Sequence, residues 1–233
     1  MENNGQETDG KKSSKNQIFY SRGEEITNIV THAVGAALSI AAAVLMLIKV
    51  CTASPIRALH IVAIALFSFA LIELYVMSAL YHSMPLGLRR RAVFRRFDHC
   101  SIALLIAGTY APYMLIGFDN LGGSTRIWGI VIASVVLGIA VLVTVFSAID
   151  VSKFRVVNMI CYVLMGWCCV IRADKLIALG WDCFGFLLAG GIVYTVGILF
   201  YRIKKIKFNH AIWHFFVLAG SVLHFVSVYF YIL

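Results

Sequence analysis

The chain has 233 residues, of which 61% are hydrophobic and only 13% are charged, and its formal net charge is +9. So much apolar side chain excludes a water-soluble globular domain and indicates a polytopic membrane protein. The positive charge does not indicate a nucleic-acid surface, because the basic residues fall in short loops between long apolar stretches.

The head of the chain is polar. Its first residues are rich in Asn, Ser, Gly, Lys and acidic side chains, a composition that is typical of disordered segments. We therefore predict two parts: a disordered N-terminal segment over residues 1–22, and a seven-helix transmembrane domain over residues 23–233.

Seven apolar stretches follow the head. Each is long enough for a helix that crosses a bilayer, which takes about 20 residues. None shows the alternating pattern of a membrane barrel strand. The predicted fold class is therefore an all-α membrane protein, a seven-transmembrane-helix bundle. The predicted spans are residues 26–48, 58–82, 98–117, 126–147, 156–172, 181–201 and 209–232.

The orientation follows from the basic residues, which concentrate on the cytoplasmic side of membrane proteins. On the side of the head lie fifteen of them: Lys11, Lys12, Lys15, Arg22, Arg89, Arg90, Arg91, Arg95, Arg96, Lys153, Arg155, Arg202, Lys204, Lys205 and Lys207. The other side has five: Lys49, Arg57, Arg126, Arg172 and Lys175. This bias predicts a cytoplasmic N-terminus, an outside C-terminus and a multi-pass location in the plasma membrane.

Polar side chains recur where three of the spans end. Span two closes with His82, one helical turn after Ser78 on the same face. Span three begins with Asp98, and span seven begins with His210 and His214, which lie about 6 Å apart along one helix face. In the predicted topology all of these ends lie at the cytoplasmic face. Residues distant in sequence therefore share one depth.

Three imidazoles and a carboxylate at one depth suit a zinc ion, whose catalytic sites have three protein ligands and an open position for water. We expect His82, His210 and His214 to bind the metal. Asp98 would be either a fourth ligand or the group that holds the bound water and accepts its proton, and Ser78 would donate a hydrogen bond nearby. Taken singly, each residue has a plainer interpretation, such as an interfacial histidine, an aspartate at a helix N-terminus or a serine bonded to its own helix.

The remaining histidines differ in depth. His32 lies about two turns inside the cytoplasmic face and is able to approach the site. His60 and His224 belong to the outer half of the bundle, too far away to share the metal. Glu73 lies in the middle of span two, where an unpaired charge is costly, so we expect it to be neutral or paired.

The polar motifs together resemble those of the bacterial hemolysin III family, a branch of the progestin and adipoQ receptor group that includes the adiponectin receptors. The stretches that carry the resemblance are residues 24–35, 78–82, 97–112 and 210–225. The resemblance implies seven helices with a cytoplasmic N-terminus and zinc held by His82, His210 and His214. It also implies that Asp98 contacts the zinc directly or through water, with Ser78 nearby.

Three functions remain open at this point. The group is similar to alkaline ceramidases, which makes hydrolysis of a lipid amide or ester within the membrane one hypothesis. A membrane or lipid-homeostasis regulator with structural zinc is the second. The third is a pore-forming haemolysin, which the apolar spans favour least because a pore needs a polar lining. A membrane lipid is the expected partner, as substrate or as surroundings; the oligomeric state stays open.

Overall fold

The computed structural model describes residues 20–203 and 205–233. Within these residues it has helices and turns but no strand. In this described part of the chain, seven helices are long and apolar enough to cross a membrane, which confirms the predicted fold class. They are α1 (Arg22–Thr52), α2 (Ala58–Ser83), α3 (Arg89–Leu121), α4 (Gly123–Asp150), α5 (Arg155–Ala178), α6 (Trp181–Arg202) and α7 (Asn209–Ile232). Of the segment predicted to be disordered, residues 1–19 lie outside the described residues.

The start of α1 is fixed by a capping box. Ser21 Oγ accepts a hydrogen bond from the Glu24 amide at 3.2 Å, and Glu24 Oε2 accepts one from the Ser21 amide at 2.8 Å. The other oxygen of Glu24 accepts from the Phe208 amide at 3.0 Å, just before α7 begins. One carboxylate therefore joins the start of the first helix to the start of the last.

The third span begins earlier than predicted, at Arg89 instead of residue 98. The charged residues before Asp98, assigned to a loop from their polarity, continue the helix beyond the apolar region because arginine is a good helix former. The fifth span is also longer than its apolar run of 156–172. A tight turn, Cys168–Arg172, interrupts it before it continues to Ala178.

Proline shapes the second half of α3. Pro112 lies inside the helix and is followed by a wider π-helical turn, Tyr113–Gly117. Such turns accommodate a lost backbone hydrogen bond and often occur at functional sites. The turn buries Tyr113 and directs it to the wall of an internal cavity.

Glycines allow the closest helix contacts. A Cβ at Gly35 of α1 would lie 2.5 Å from the Tyr75 ring of α2, and a Cβ at Gly190 of α6 would lie 2.6 Å from the His224 ring of α7. Both rings therefore pack directly against a neighbouring helix backbone, as small residues permit in membrane bundles.

Gly35→Ala should destabilise the bundle. The added methyl overlaps the Tyr75 ring, whose hydroxyl donates to Ser221 Oγ at 2.7 Å and so cannot move without losing that bond. Overpacking of this kind costs about 1–3 kcal/mol. We expect a clearly lower Tm in detergent. Gly138→Ala, where no atom lies within 4 Å of the new methyl, is the matched control and should leave the Tm unchanged; equal effects at the two sites would contradict the close packing.

Burial differs strongly between the spans. In the most apolar 18-residue window of each span, 72% of residues are buried in α3 but only 11% in α5 and 17% in α6. The third helix is thus the centre of the bundle, and α5 and α6 pack least against the rest. These two helices also line the internal cavity described below.

Candidate metal centre

Three imidazoles meet where α2 ends and α7 begins. His82 Nε2 lies 3.0 Å from His210 Nε2, which in turn lies 3.1 Å from His214 Nε2. The three ligand atoms all lie within 4.8 Å of one another, and all three side chains are buried. This arrangement can hold a metal ion. The structure therefore brings together the three histidines that the sequence assigned to one depth.

The outer nitrogens of two of these rings face hydrogen-bond acceptors. His82 Nδ1 lies 2.7 Å from Glu25 Oε2, a carboxylate that can only accept when ionised. His214 Nδ1 lies 3.3 Å from Thr31 Oγ1, whose own proton is directed to Thr27 O at 2.8 Å. These partners favour the tautomer in which each ring carries its proton on Nδ1 and presents a bare Nε2 lone pair to the centre. Because a single His210 proton cannot satisfy both lone pairs, the donor set fits a cation.

Glu25 also pairs with a buried arginine. Arg91 Nη2 contacts Glu25 Oε1, and Arg91 Nη1 donates to the carbonyl of Met84. The Arg91 guanidinium lies over the Tyr81 ring, 4.9 Å from its centroid. Only 4% of Arg91 is exposed, so its charge depends on these partners. The pair links α1 and α3 to the histidine of α2.

Sequence reasoning missed this pair. Arg91 belongs to a run of arginines that the sequence analysis counts only as positive charge on the side of the head, and only the structure shows that it alone of Arg89, Arg90 and Arg91 is buried. A signal did exist for Glu25. It lies three residues before Asn28 and seven before His32, so the three polar residues share one face of α1.

Glu25→Gln should weaken metal binding without removing a ligand. The amide can still reach His82 Nδ1 but no longer stabilises its proton or neutralises Arg91. Losing such an outer partner typically lowers metal affinity 10- to 100-fold. Chelator competition with the purified protein measures the change. Glu24→Gln, which alters the neighbouring capping carboxylate that faces Ser21 and Phe208, is the control and should keep the wild-type affinity. Unchanged affinity in Glu25→Gln would contradict the role of the carboxylate.

Asp98 and Ser78 lie beside the histidines and line the same cavity as His210 and His214. Both are buried. The Asp98 carboxylate lies 3.3 Å from His99 Nδ1, and its atoms fall outside the group of ligand atoms within 4.8 Å of one another. The Ser78 hydroxyl lies near Asp98 but forms no hydrogen bond with the described residues. These two groups thus face the cavity beside the three rings.

His32 approaches the centre, as its depth in the sequence allowed. Its ring stacks on His214 with centroids 3.5 Å apart and meets the Tyr75 ring edge-on at 5.1 Å. Only 3% of the residue is exposed, and neither ring nitrogen has a hydrogen-bond partner among the described residues. His32 therefore presents unused polar atoms to the cavity that it lines.

The centre is covered by the residue that precedes the cap of α1. The Tyr20 ring stacks on His210 at 5.0 Å between centroids and lies 5.7 Å from the His82 ring. Burial raises the pKa of the Tyr20 phenol, so the side chain is neutral. No pattern in the sequence indicates this contact.

An elongated cavity of about 410 Å³ extends from the centre into the bundle. Its lining includes both His210, near the start of α7, and His224, fourteen residues later, or about 21 Å along the helix axis. Apart from the groups near the centre and at the His224 end, the walls are largely apolar. The cavity therefore crosses most of the thickness of the membrane domain.

Two histidines remain away from the centre, as predicted from their depth. His60 Nε2 lies 3.3 Å from Asp119 Oδ2 at the opposite end of the bundle, where the same carboxylate pairs with Arg57 and Arg126. His224 packs against Gly190 and stacks on Tyr194. Glu73 has one carboxylate oxygen that is buried without a partner among the described residues.

Comparison with known proteins assigns the chain to a protein family. Residues 20–225 match the family model described as Haemolysin-III related. The chain is 37% identical over 214 residues to hemolysin-3 of Bacillus cereus, covering 90% of this chain and 92% of that protein. It is 38% identical over 209 residues to the hemolysin-3 homolog of Bacillus subtilis (strain 168), covering 89% and 94%.

A more distant relative extends the resemblance beyond bacteria. The adiponectin receptor protein of Drosophila melanogaster is 27% identical over 163 residues, which cover 62% of this chain and 35% of that protein. Together with the bacterial relatives this confirms the resemblance that the polar motifs indicated. The chain is thus a multi-pass membrane protein that belongs to the haemolysin-III related family.

Proposed function

We propose that this protein is a zinc-dependent hydrolase that cleaves a lipid amide or ester within the membrane. The observation that carries the proposal is the convergence of three imidazole nitrogens at one end of an apolar cavity whose wall also holds Asp98 and Ser78. A water-activating metal, a carboxylate and a hydroxyl beside a lipid-sized cavity are the parts that such a reaction needs.

Zinc suits the donor set. Zinc–nitrogen bonds of about 2.0–2.1 Å in tetrahedral geometry separate two ligand atoms by about 3.3 Å. Two of the three nitrogen separations, 3.0 and 3.1 Å, are close to that value, and the third is no more than 4.8 Å. Imidazoles also bind other divalent transition metals, and neutral histidines around an open position are typical of catalytic zinc.

The reaction adds water to the carbonyl carbon of the lipid and cleaves the adjacent carbon–nitrogen or carbon–oxygen bond. When bound, zinc supplies Lewis-acid polarisation of the carbonyl and makes a water-derived nucleophile available near neutral pH. Asp98, which lies outside the ligand group, holds the water and takes its proton. The Ser78 hydroxyl, which lies near Asp98 and has no hydrogen-bond partner among the described residues, donates to the oxygen that becomes negative. The carbon–nitrogen or carbon–oxygen bond then breaks, and the proton passes from Asp98 to the leaving amine or alcohol.

The cavity supports a lipid as the substrate. Its walls are apolar over the distance between His210 and His224, so a long acyl chain can lie there with its carbonyl next to the metal centre. The loosely packed helices α5 and α6 form one wall, and they are the side from which a membrane lipid would enter.

Turnover by the purified protein tests the proposal. The zinc-loaded protein in lipid nanodiscs is incubated with a ceramide, a long-chain acyl amide and a long-chain ester, and the released fatty acid is measured. Ser78→Ala should slow release while the metal content stays at the wild-type value. If the folded protein with zinc bound releases no fatty acid from any of these substrates, the hydrolase proposal fails.

One observation favours a second candidate, a membrane regulator in which zinc is structural. The three histidines and their outer partners belong to α1, α2, α3 and α7, so a metal ion would hold four helices together at one end. Metal coordination separates the two candidates. A zinc ion ligated entirely by protein atoms favours the structural role, whereas a position open to water favours catalysis.

We also propose that the metal centre lies at the cytoplasmic end of a bundle in the plasma membrane, with the N-terminus inside. The charge bias in the sequence supports this orientation, since the arginine-rich start of α3 is on the same side as the centre. Membrane-impermeant thiol labelling of a cysteine introduced at Arg90 or at Ile56 of a cysteine-free variant tests it. In intact cells only the Ile56 position should react.

A further inference from the structure

The far end of the cavity, about 21 Å from the metal centre, contains a second polar group of side chains. His224 and Tyr113 both line the cavity there, with ring centroids 6.4 Å apart. His224 is 4% exposed and Tyr113 is 2% exposed. His224 Nδ1 and the Tyr113 hydroxyl have no hydrogen-bond partner among the described residues.

The other polar groups at this end are already paired. The hydroxyls of Tyr75 and Tyr194 both bond to Ser221 Oγ, at 2.7 and 2.9 Å. The Ser227 hydroxyl, near Tyr113, donates to the Cys183 carbonyl at 2.9 Å. A polar group that is buried without a partner loses its hydrogen bonds to water and gains none in return, so two adjacent unpaired groups at a cavity wall indicate a ligand that completes them.

The position of His224 is imposed by its surroundings. Its ring lies against the backbone of Gly190 and is stacked on Tyr194, at 5.3 Å between centroids. Tyr113 is held by the π-helical turn that follows Pro112. Both side chains are therefore fixed toward the cavity before any ligand enters, which reduces the entropy that binding would cost.

We propose that His224 and Tyr113 form a second polar subsite, which binds an uncharged hydroxyl or carbonyl at the distal end of a long-chain amphiphile. The ligand lies along the cavity with one polar end near Ser78 and His32 and the other at the subsite. No described Lys, Arg, Asp or Glu lines this end of the cavity, so a charged terminus would lack a partner there and a neutral one is favoured.

This subsite is independent of the hydrolase proposal, because it requires only binding. A neutral hydroxyl or carbonyl can accept from the Tyr113 hydroxyl, and a hydroxyl can also donate to or accept from His224 according to its tautomer. The subsite would therefore select chains by length and by the presence of a terminal polar group, whether or not they carry a cleavable bond.

Competition in lipid nanodiscs tests the subsite. A photoactivatable long-chain alcohol is crosslinked to the purified full-length protein, and hexadecanol or the α,ω-diol of hexadecane is added as competitor. Each net hydrogen bond in a buried site strengthens binding about fivefold, so the two bonds at the subsite should make the diol compete about 30-fold more strongly than the mono-alcohol after correction for partitioning into the lipid. Equal competition by the two would overturn the proposal.

Two variants locate the second hydroxyl. His224→Phe keeps an aromatic ring and Tyr113→Phe removes only a hydroxyl, and each should reduce the advantage of the diol while leaving the mono-alcohol unchanged. Tyr229→Phe, on the same helix but outside the cavity lining, is the control and should keep the advantage. A diol advantage that persists in both variants would overturn the proposal, because the second hydroxyl would then be bound elsewhere.

The wild-type protein also allows a test that does not depend on how the variants fold. The α,ω-diol of octane is too short to reach both ends of the cavity, so it should show no advantage over octanol. An advantage of equal size for the short and the long diol would contradict the proposed subsite.

Discussion

Replacing His214 with alanine should remove the metal ion from the purified protein. The change leaves two imidazoles, His82 and His210, at a centre that is built for three. Even outer-shell changes lower metal affinity 10- to 100-fold, so loss of a direct ligand should lower it by more than 100-fold. Metal content measured by mass spectrometry after dialysis against a chelator should fall to background, and His210→Ala should have the same effect.

Loss of the metal must be distinguished from loss of the fold. A metal that binds only the folded state stabilises it, so chelation should lower the Tm of the wild-type protein toward that of His214→Ala, whose own Tm should not respond to chelator. His60→Ala, at the opposite end of the bundle, is the control and should keep a full complement of metal. Metal retained in both His210→Ala and His214→Ala would show that the centre lies elsewhere.

Asp98→Asn should abolish most of the lipid hydrolysis while the metal remains bound. Asparagine is close in size to aspartate but cannot accept a proton from water, and general bases typically contribute 10²–10⁴-fold to the rate. We therefore expect fatty-acid release to fall by about that factor in the zinc-loaded nanodisc assay, with unchanged metal content. Glu73→Gln, a partly buried carboxyl outside the cavity lining, is the matched control and should keep the wild-type rate.

The two readouts separate the possible roles of Asp98. A variant that loses both the metal and the activity would identify Asp98 as a direct ligand. A variant that keeps both would exclude Asp98 as the general base. Only loss of rate with retained metal supports the role proposed for this carboxylate, which acts through water.

The sequence predicted the helices because the thickness of the bilayer sets the length of an apolar run. It also predicted the convergence of His82, His210 and His214, since a short-loop bundle forces alternate helix ends to one depth. The predicted depth was sufficient to bring these three residues together in the prediction because they lie at the ends of their spans. Residues at one depth still need the correct rotation to meet, and rotation is decided by packing.

Packing is what the sequence left undetermined. Arg91 follows two arginines of the same charge, and only the rotation of α3 makes it the one that reaches Glu25. His224 was assigned correctly to the half of the bundle away from the metal centre. The cavity that joins it to the centre was not predicted, because a space between helices leaves no pattern in the sequence. Voids and helix rotations are collective properties of the whole bundle.

The stacking of Tyr20 on His210 has a practical consequence for purification. The chain that leads into α1 emerges directly beside the metal centre, whereas Leu233 lies at the other end of α7, about 35 Å away along the axis. A polyhistidine tag at the N-terminus would be tethered to the end of the chain that enters the bundle at Tyr20, and its imidazoles would compete with the native ones for metal. Affinity tags for metal analysis therefore belong at the C-terminus.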